Sequence, residues 1–279
     1  MTIPVAAPGH RQAPVCKGEA VANWVIDLDG VMWRGTVPIE GSAATVGRLL
    51  DAGHRVLFCT NNSAEAGADR AARLFQQGVP DGCEVVTSAD AVVALVRAGE
   101  RVLCLGGPGL RAALSSAGVQ VLDAGDPSTA HVPVDAVVVG LARDVDYGRI
   151  DRAAAAVRAG ARLLASNDDA TFPGATGLHP GCGAILAAVE TAGGTSAVVA
   201  GKPHAPMADL IRSLCTGPGV VVGDKVETDG RLAQELDWPF GLVLSGVTAR
   251  EDLPVAVPVA VVAADLATLV DGFMPSDVR

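Results

Sequence analysis

The chain has 279 residues, 49% of them apolar and 19% charged, with a net charge of −10 and only 3% aromatic residues. That length and apolar content allow one large core or two modest domains and exclude global disorder. The negative charge excludes a general polyanion binder, and the shortage of aromatics removes a stacking platform for single-stranded nucleic acid.

Residues 1–18 carry Pro4, Pro8, Gly9 and Pro14 among polar residues and read as a loose leader. Met1 to Arg11 lacks the apolar core of a signal peptide, and no run is long enough to span a bilayer. The six cysteines, Cys16, Cys59, Cys83, Cys104, Cys182 and Cys215, show no C-x-x-C spacing and read as small core residues. Together these features predict a cytoplasmic protein with reduced thiols and no membrane partner. Strands are expected over Val21–Asp27, Arg55–Thr60, Arg101–Leu105, Val119–Leu122, Asp135–Gly140, Arg162–Ser166, Ala197–Ala200, Val220–Gly223, Phe240–Leu244 and Pro258–Ala263. Amphipathic helices are expected between several of them, over Ala64–Gln77, Ala89–Ala98, Gly109–Ala117, Tyr147–Ala159 and Ala184–Ala192.

Continuous apolar strands alternating with helices predict an α/β fold, a doubly wound parallel sheet covered on both faces. About ten strands are many for one twisted sheet, which favours two domains. The polar landmarks fall in two blocks, Asp27–Ser63 and Lys202–Asp229. This predicts a Rossmann-like core built from 19–84 plus 188–279, with 85–187 inserted as a second α/β domain.

Four clusters follow apolar runs. Asp27 and Asp29, with Gly30 behind them, end the first strand, and two like charges that close need a shared cation or proton. Thr60-Asn61-Asn62-Ser63 stands where a strand is expected to give way to a helix, whose free N–H groups would make an anion site. Lys202, in Gly201-Lys202-Pro203-His204, offers a fixed positive charge between phosphate and carboxylate. Gly223-Asp224-Lys225-Val226-Glu227-Thr228-Asp229-Gly230 brings acids suited to Mg²⁺, a cation that prefers hard oxygen ligands. Taken singly, each is an ordinary turn, cap or surface residue; their order and shared position after strands point to phosphoryl transfer.

The ordered set resembles the haloacid dehalogenase superfamily, and most closely its subclass IIA phosphatases, the p-nitrophenyl phosphatase, phosphoglycolate phosphatase and glycerol-3-phosphate phosphatase group. The resemblance spans about residues 21–270. It rests also on Asp27–Trp33, Val86-Thr87-Ser88-Ala89, Pro180-Gly181-Cys182-Gly183 and Leu244-Ser245-Gly246-Val247-Thr248. It implies a doubly wound core with an inserted α/β cap domain. It also implies Asp27 as nucleophile and Asp29 as general acid and base, with Thr60, Asn61, Asn62, Gly30 and Lys202 around the phosphate. Mg²⁺ would be held by Asp27, the Asp29 backbone carbonyl and Asp224, with Asp229 through water or behind them. Asn167 and Asp169, and less strongly His179 and Arg143, are the cap residues expected near the leaving group. A homodimer through the cap is an expectation of the same family kind. Three positions depart from the pattern: Lys225 replaces an arginine, Glu227 an aspartate, and Ser166-Asn167-Asp168-Asp169 a Thr-Asn-Pro-Asp string.

The substrate implied is a small phosphomonoester, with glycerol 3-phosphate expected before 2-phosphoglycolate. Rivals are a dinucleotide-binding enzyme, from Leu105-Gly106-Gly107-Pro108-Gly109, a non-catalytic binding protein on the same fold, and a phosphotransferase.

Overall fold

A computed structural model of the chain describes residues 23–174 and 177–273. The leader expected over 1–18, and the first two residues of the first expected strand, lie outside them. The described residues form two compact units, one of 23–59, 71–85 and 208–273, the other of 60–70, 86–174 and 177–207. Each is built on its own sheet.

The first sheet has six strands in the order β15-β14-β13-β1-β4-β5. These are β1 (Asn23–Ile26), β4 (Arg55–Thr60), β5 (Glu84–Thr87), β13 (Gly219–Gly223), β14 (Phe240–Val243) and β15 (Val261–Ala263). β1 lies between β4 and β13, parallel to both, with Ile26 opposite Phe58 on one side and Val222 on the other. Every residue of β1, β13 and β14 is buried, the signature of strands covered on both faces. One cover is α1 (Ser42–Asp51), which buries Ser42, Thr45, Val46 and Leu49, a single helical face at three- and four-residue spacing.

The second sheet has five parallel strands in the order β12-β9-β8-β6-β7. They are β6 (Arg101–Leu105), β7 (Gln120–Asp123), β8 (Ala136–Val139), β9 (Arg162–Ala165) and β12 (Val198–Val199). Against it pack α5 (Tyr147–Arg158), capped by the Asp146 side chain on the Arg149 N–H, and α6 (Cys182–Gly193). The fold class expected from the sequence therefore holds: a parallel-sheet α/β core with helices, and a second α/β unit.

Local differences have local causes. The helix expected to reach Ala98 is α3 (Ser88–Val93), because residues 94–96 tighten into bonds to the carbonyl three back. Two hairpins were not expected, β2–β3 (Trp33–Arg34 with Val37–Pro38) and β10–β11 (Thr171–Gly174 with Gly177–Pro180). Both carry proline, and a two-stranded ribbon has free edges where proline costs no ladder bond.

Candidate active site

In the first sheet the chain runs from β1 outward through β4 to β5, then returns to the other side of β1 with β13 and continues outward to β15. The reversal between β1 and β13 is the place where open α/β sheets bind ligands, at the carboxyl ends of the strands. Asp27 follows β1 there, and Asp224 follows β13. Asp229 arrives from a single π-helical turn over Val226–Gly230, a device common at functional sites. Carboxylate oxygens of Asp27, Asp224 and Asp229 all lie within 4.8 Å of one another. The three residues are only 8%, 3% and 1% exposed.

The surrounding chain is cut to fit these acids. A Cβ on Gly30 would stand 2.2 Å from Asp224 Oδ2, and one on Gly246 would stand 1.8 Å from it. Gly30 also has φ +89°, a conformation that few side chains tolerate. The Val247 N–H donates to Asp224 Oδ2 at 2.6 Å, the Thr248 N–H donates to the Asp224 carbonyl at 3.0 Å, and Ser245 Oγ donates to the Gly30 carbonyl at 2.7 Å. The Lys225 N–H donates to Asp229 Oδ2 at 3.2 Å. Three buried carboxylates this close repel one another; a divalent cation offsets that repulsion, and the donor set, all hard oxygen, fits one.

Asp29 is placed differently. Its carboxylate is outside that trio and accepts the Trp33 Nε1–H at 2.8 Å. β1 ends at Ile26, so the strand alternation that would send both aspartates the same way stops before Asp27.

The second unit gathers the other expected residues. Lys202 is 2% exposed. Asn61 holds its backbone at both ends: Oδ1 accepts the Lys202 N–H at 2.8 Å, while Nδ2 donates to the Lys202 carbonyl at 3.0 Å. The same Nδ2 donates to Asp169 Oδ2 at 2.8 Å. The Asn61 carbonyl accepts Asn167 Nδ2 at 2.7 Å and Ser88 Oγ at 2.6 Å. Asn61, Asn167, Asp169 and Lys202 are thus one network. The acid at 168, where the family pattern has proline, pairs with His204 Nε2 at 3.0 Å. Beneath them Ser63 Oγ meets Ser166 Oγ at 2.9 Å, and burial pushes the Cys182 thiol up to about 12, so it stays neutral.

One expectation is corrected. No helix starts at Thr60-Asn61-Asn62-Ser63; β4 ends at Thr60 and α2 begins only at Gly67 (Gly67–Gln76). Thr60 Oγ1 accepts the Asn62 N–H and Asn62 Oδ1 accepts the Ala64 N–H, so side chains bend the backbone into turns instead of a helix. The dinucleotide rival is also answered. A Cβ on Gly107 would stand 2.9 Å from Ala64 Cα, and one on Gly109 2.4 Å from the Glu65 carbonyl carbon. These glycines admit the chain's own backbone. Trp33, Ser88 and the Ser245–Thr248 segment carry no local signal of a role; they stand out only as members of longer family strings.

Residues 24–120 match a family model described as haloacid dehalogenase-like hydrolase, and residues 199–269 match a second, described as HAD-hydrolase-like. An acid sugar phosphatase of Staphylococcus saprophyticus is 34% identical over 82% of this chain and 89% of its own length. The chain belongs to the haloacid dehalogenase-like hydrolases. Within them its relatives are subclass IIA phosphatases, and its class is phosphoric monoester hydrolase. The D-glycerol 3-phosphate phosphatase of Mycobacterium tuberculosis is also 34% identical, over 84% of this chain; the chain spans 66% of that relative's length. A crystal structure of the glycerol phosphate phosphatase from that organism, in complex with magnesium, superposes with a TM-score of 0.78 at 33% identity, covering 89% of this chain and 76% of the other. Among the described residues no helix is long and apolar enough to cross a membrane.

Proposed function

We propose that this phosphatase hydrolyses glycerol 3-phosphate through an aspartyl-phosphate on Asp27, in a Mg²⁺-dependent reaction. The buried trio Asp27, Asp224 and Asp229 carries the reading. Asp27, Asp224 and the Asp29 backbone carbonyl would hold the cation, with Asp229 through water or behind them. The bound ion supplies charge neutralisation between nucleophile and phosphate.

Asp27 attacks phosphorus as the bond to the leaving oxygen breaks, and Asp29 gives that oxygen a proton. A water then attacks the phosphorus of the acyl phosphate and loses a proton to Asp29. Phosphate leaves and the Asp27 carboxylate is restored. Lys202, Thr60, the Asn61 N–H, Asn62 and Gly30 surround the non-bridging oxygens in this scheme. Asn61 supports the role of Lys202, because an amide gripping both backbone groups of one residue fixes where its side chain starts. Asn167 and Asp169 face the leaving group in the proposal. Its functional division is a core of 19–84 with 188–279 and a cap of 85–187 that excludes water. Cys59, Cys83, Cys104, Cys182 and Cys215 are free thiols, which supports a reducing cytoplasm.

The glycerol phosphate phosphatase relative supports glycerol 3-phosphate as the first reading, and the acid sugar phosphatase at equal identity supports sugar phosphates as the second, beside 2-phosphoglycolate. The test is kcat/KM over a panel of glycerol, glycolate, sugar and nucleotide monophosphates with Mg²⁺ present. Glycerol 3-phosphate is expected to rank first. Turnover of a sugar or nucleotide phosphate with the small esters untouched would discard it.

A further inference from the structure

We infer that Trp33 is a positioning residue for Asp29, holding its carboxylate out of the cation cluster and selecting the oxygen that handles the proton. The inference rests on the proposed acid role of Asp29. Two aspartates two residues apart must do different work, and what separates them is their surroundings. Asp27 joins Asp224 and Asp229; Asp29 joins an indole.

An indole N–H can donate and never accept. By occupying Oδ1 at 2.8 Å, it turns that oxygen into an acceptor. In a neutral carboxyl group the carbonyl oxygen is the better acceptor, so the transferable proton is carried by Oδ2. A buried indole needs some acceptor, and any carbonyl would satisfy it. Here the acceptor is the second acid of the pair, and the ring has been fixed for it from three sides. Trp33 is fully buried and opens the β2–β3 hairpin. The Gly30 N–H donates to its carbonyl at 2.7 Å, tying the indole's backbone to the turn that carries Asp29. The Arg73 guanidinium carbon lies 3.9 Å from the ring centroid and Nη2 donates to the Gly35 carbonyl at 2.6 Å, so the cation is clamped over the ring face. A cation over the ring draws electron density from it and strengthens the N–H donor.

The test uses leaving-group dependence. An alkyl alkoxide needs a proton to leave, whereas p-nitrophenolate does not. For W33F, kcat/KM on glycerol 3-phosphate, or on whichever alkyl ester the panel ranks first, is expected to fall about 10- to 100-fold, a part of the roughly 10²- to 10⁴-fold that a general acid contributes. On p-nitrophenyl phosphate it is expected to change less than about threefold. Should W33F fail to fold, benzothienylalanine placed at position 33 keeps the ring shape and replaces N–H by sulfur; the same discrimination is expected. Equal losses on both esters, or none on either, overturn the inference. D29N serves as control. If D29N discriminates between the esters and the position-33 variants do not, the indole's role fails alone. If D29N itself does not discriminate, the acid assignment has failed.

Discussion

In the six-stranded sheet the strand order reverses between β1 and β13, and the chain leaves those strands as Asp27 and Asp224. In the five-stranded sheet it reverses between β6 and β8, and the chain leaves as Gly106 and Gly140. Both mouths are the same topological feature, and both are lined with glycine for close approach. At the first, Gly30 and Gly246 stand back from a carboxylate. At the second, Gly107, Gly109 and Gly140 stand back from Ser63, Ala64 and Glu65, and the Gly109 N–H donates to the Ala64 carbonyl at 3.0 Å. One mouth is left to a ligand's charge; the other is plugged by peptide. A glycine-rich turn after a strand therefore reports that something comes close, not what it is.

The largest effect expected from this contrast is at the acidic mouth. D27N removes the proposed nucleophile and should lower phosphate release by about 10³-fold or more while leaving the melting temperature within a few degrees, since a carboxamide of equal size replaces a buried charge. Retained turnover would exclude Asp27. Next in size, N61A takes both hydrogen bonds from the Lys202 backbone. A displacement of about 1 Å in such a group costs roughly 10²-fold, so kcat/KM should drop on that scale for every ester alike. Uniformity across esters separates this from the Trp33 effect.

The glycines sharpen the comparison directly. G246A drives a methyl group into Asp224 and G109A drives one into the Glu65 backbone. Each should cost about 1–3 kcal/mol of stability from overpacking, measured by denaturant unfolding. Only G246A should also raise the Mg²⁺ concentration needed for half-maximal activity. An equal shift in G109A would mean that the two mouths are not independent in use.

The smallest effect is alkaline. Burial pushes the Cys104 and Cys182 thiols from 9.0 up to about 12. Below pH 9 folded and unfolded chains hold these protons alike. Between pH 9 and 12 the unfolded chain gives them up and the folded chain keeps them, so stability falls as pH rises. Cys83, in the first unit, is pushed only to about 11 and contributes less. The C104A and C182A variants should each flatten the decline in melting temperature above pH 9; unchanged slopes would assign the decline to other groups.

Much of this was legible in the residues themselves. β4 and β6 have the bounds that their apolar runs give, Arg55–Thr60 and Arg101–Leu105, because a fully buried strand carries its burial as an unbroken hydrophobic string. Asp27 and Asp224 announced themselves as acids at the ends of such strings. Residues whose work depends on distant partners were not legible. Gly246 looks like any loop glycine until Asp224, 22 positions earlier, is folded against it. Asn61 was legible as a residue whose N–H is expected at the phosphate, but not as one whose amide would grip the Lys202 backbone and Asp169.

Local sequence thus determined the strands, their parallel α/β assembly and the acids at their ends, since hydrophobic period and side-chain chemistry act over a few neighbours. Only tertiary structure decided which acids cluster, which aspartate is handed to an indole and which glycine-lined mouth is filled by peptide. Those outcomes depend on close approaches between segments far apart along the chain, and nothing in a local string fixes them.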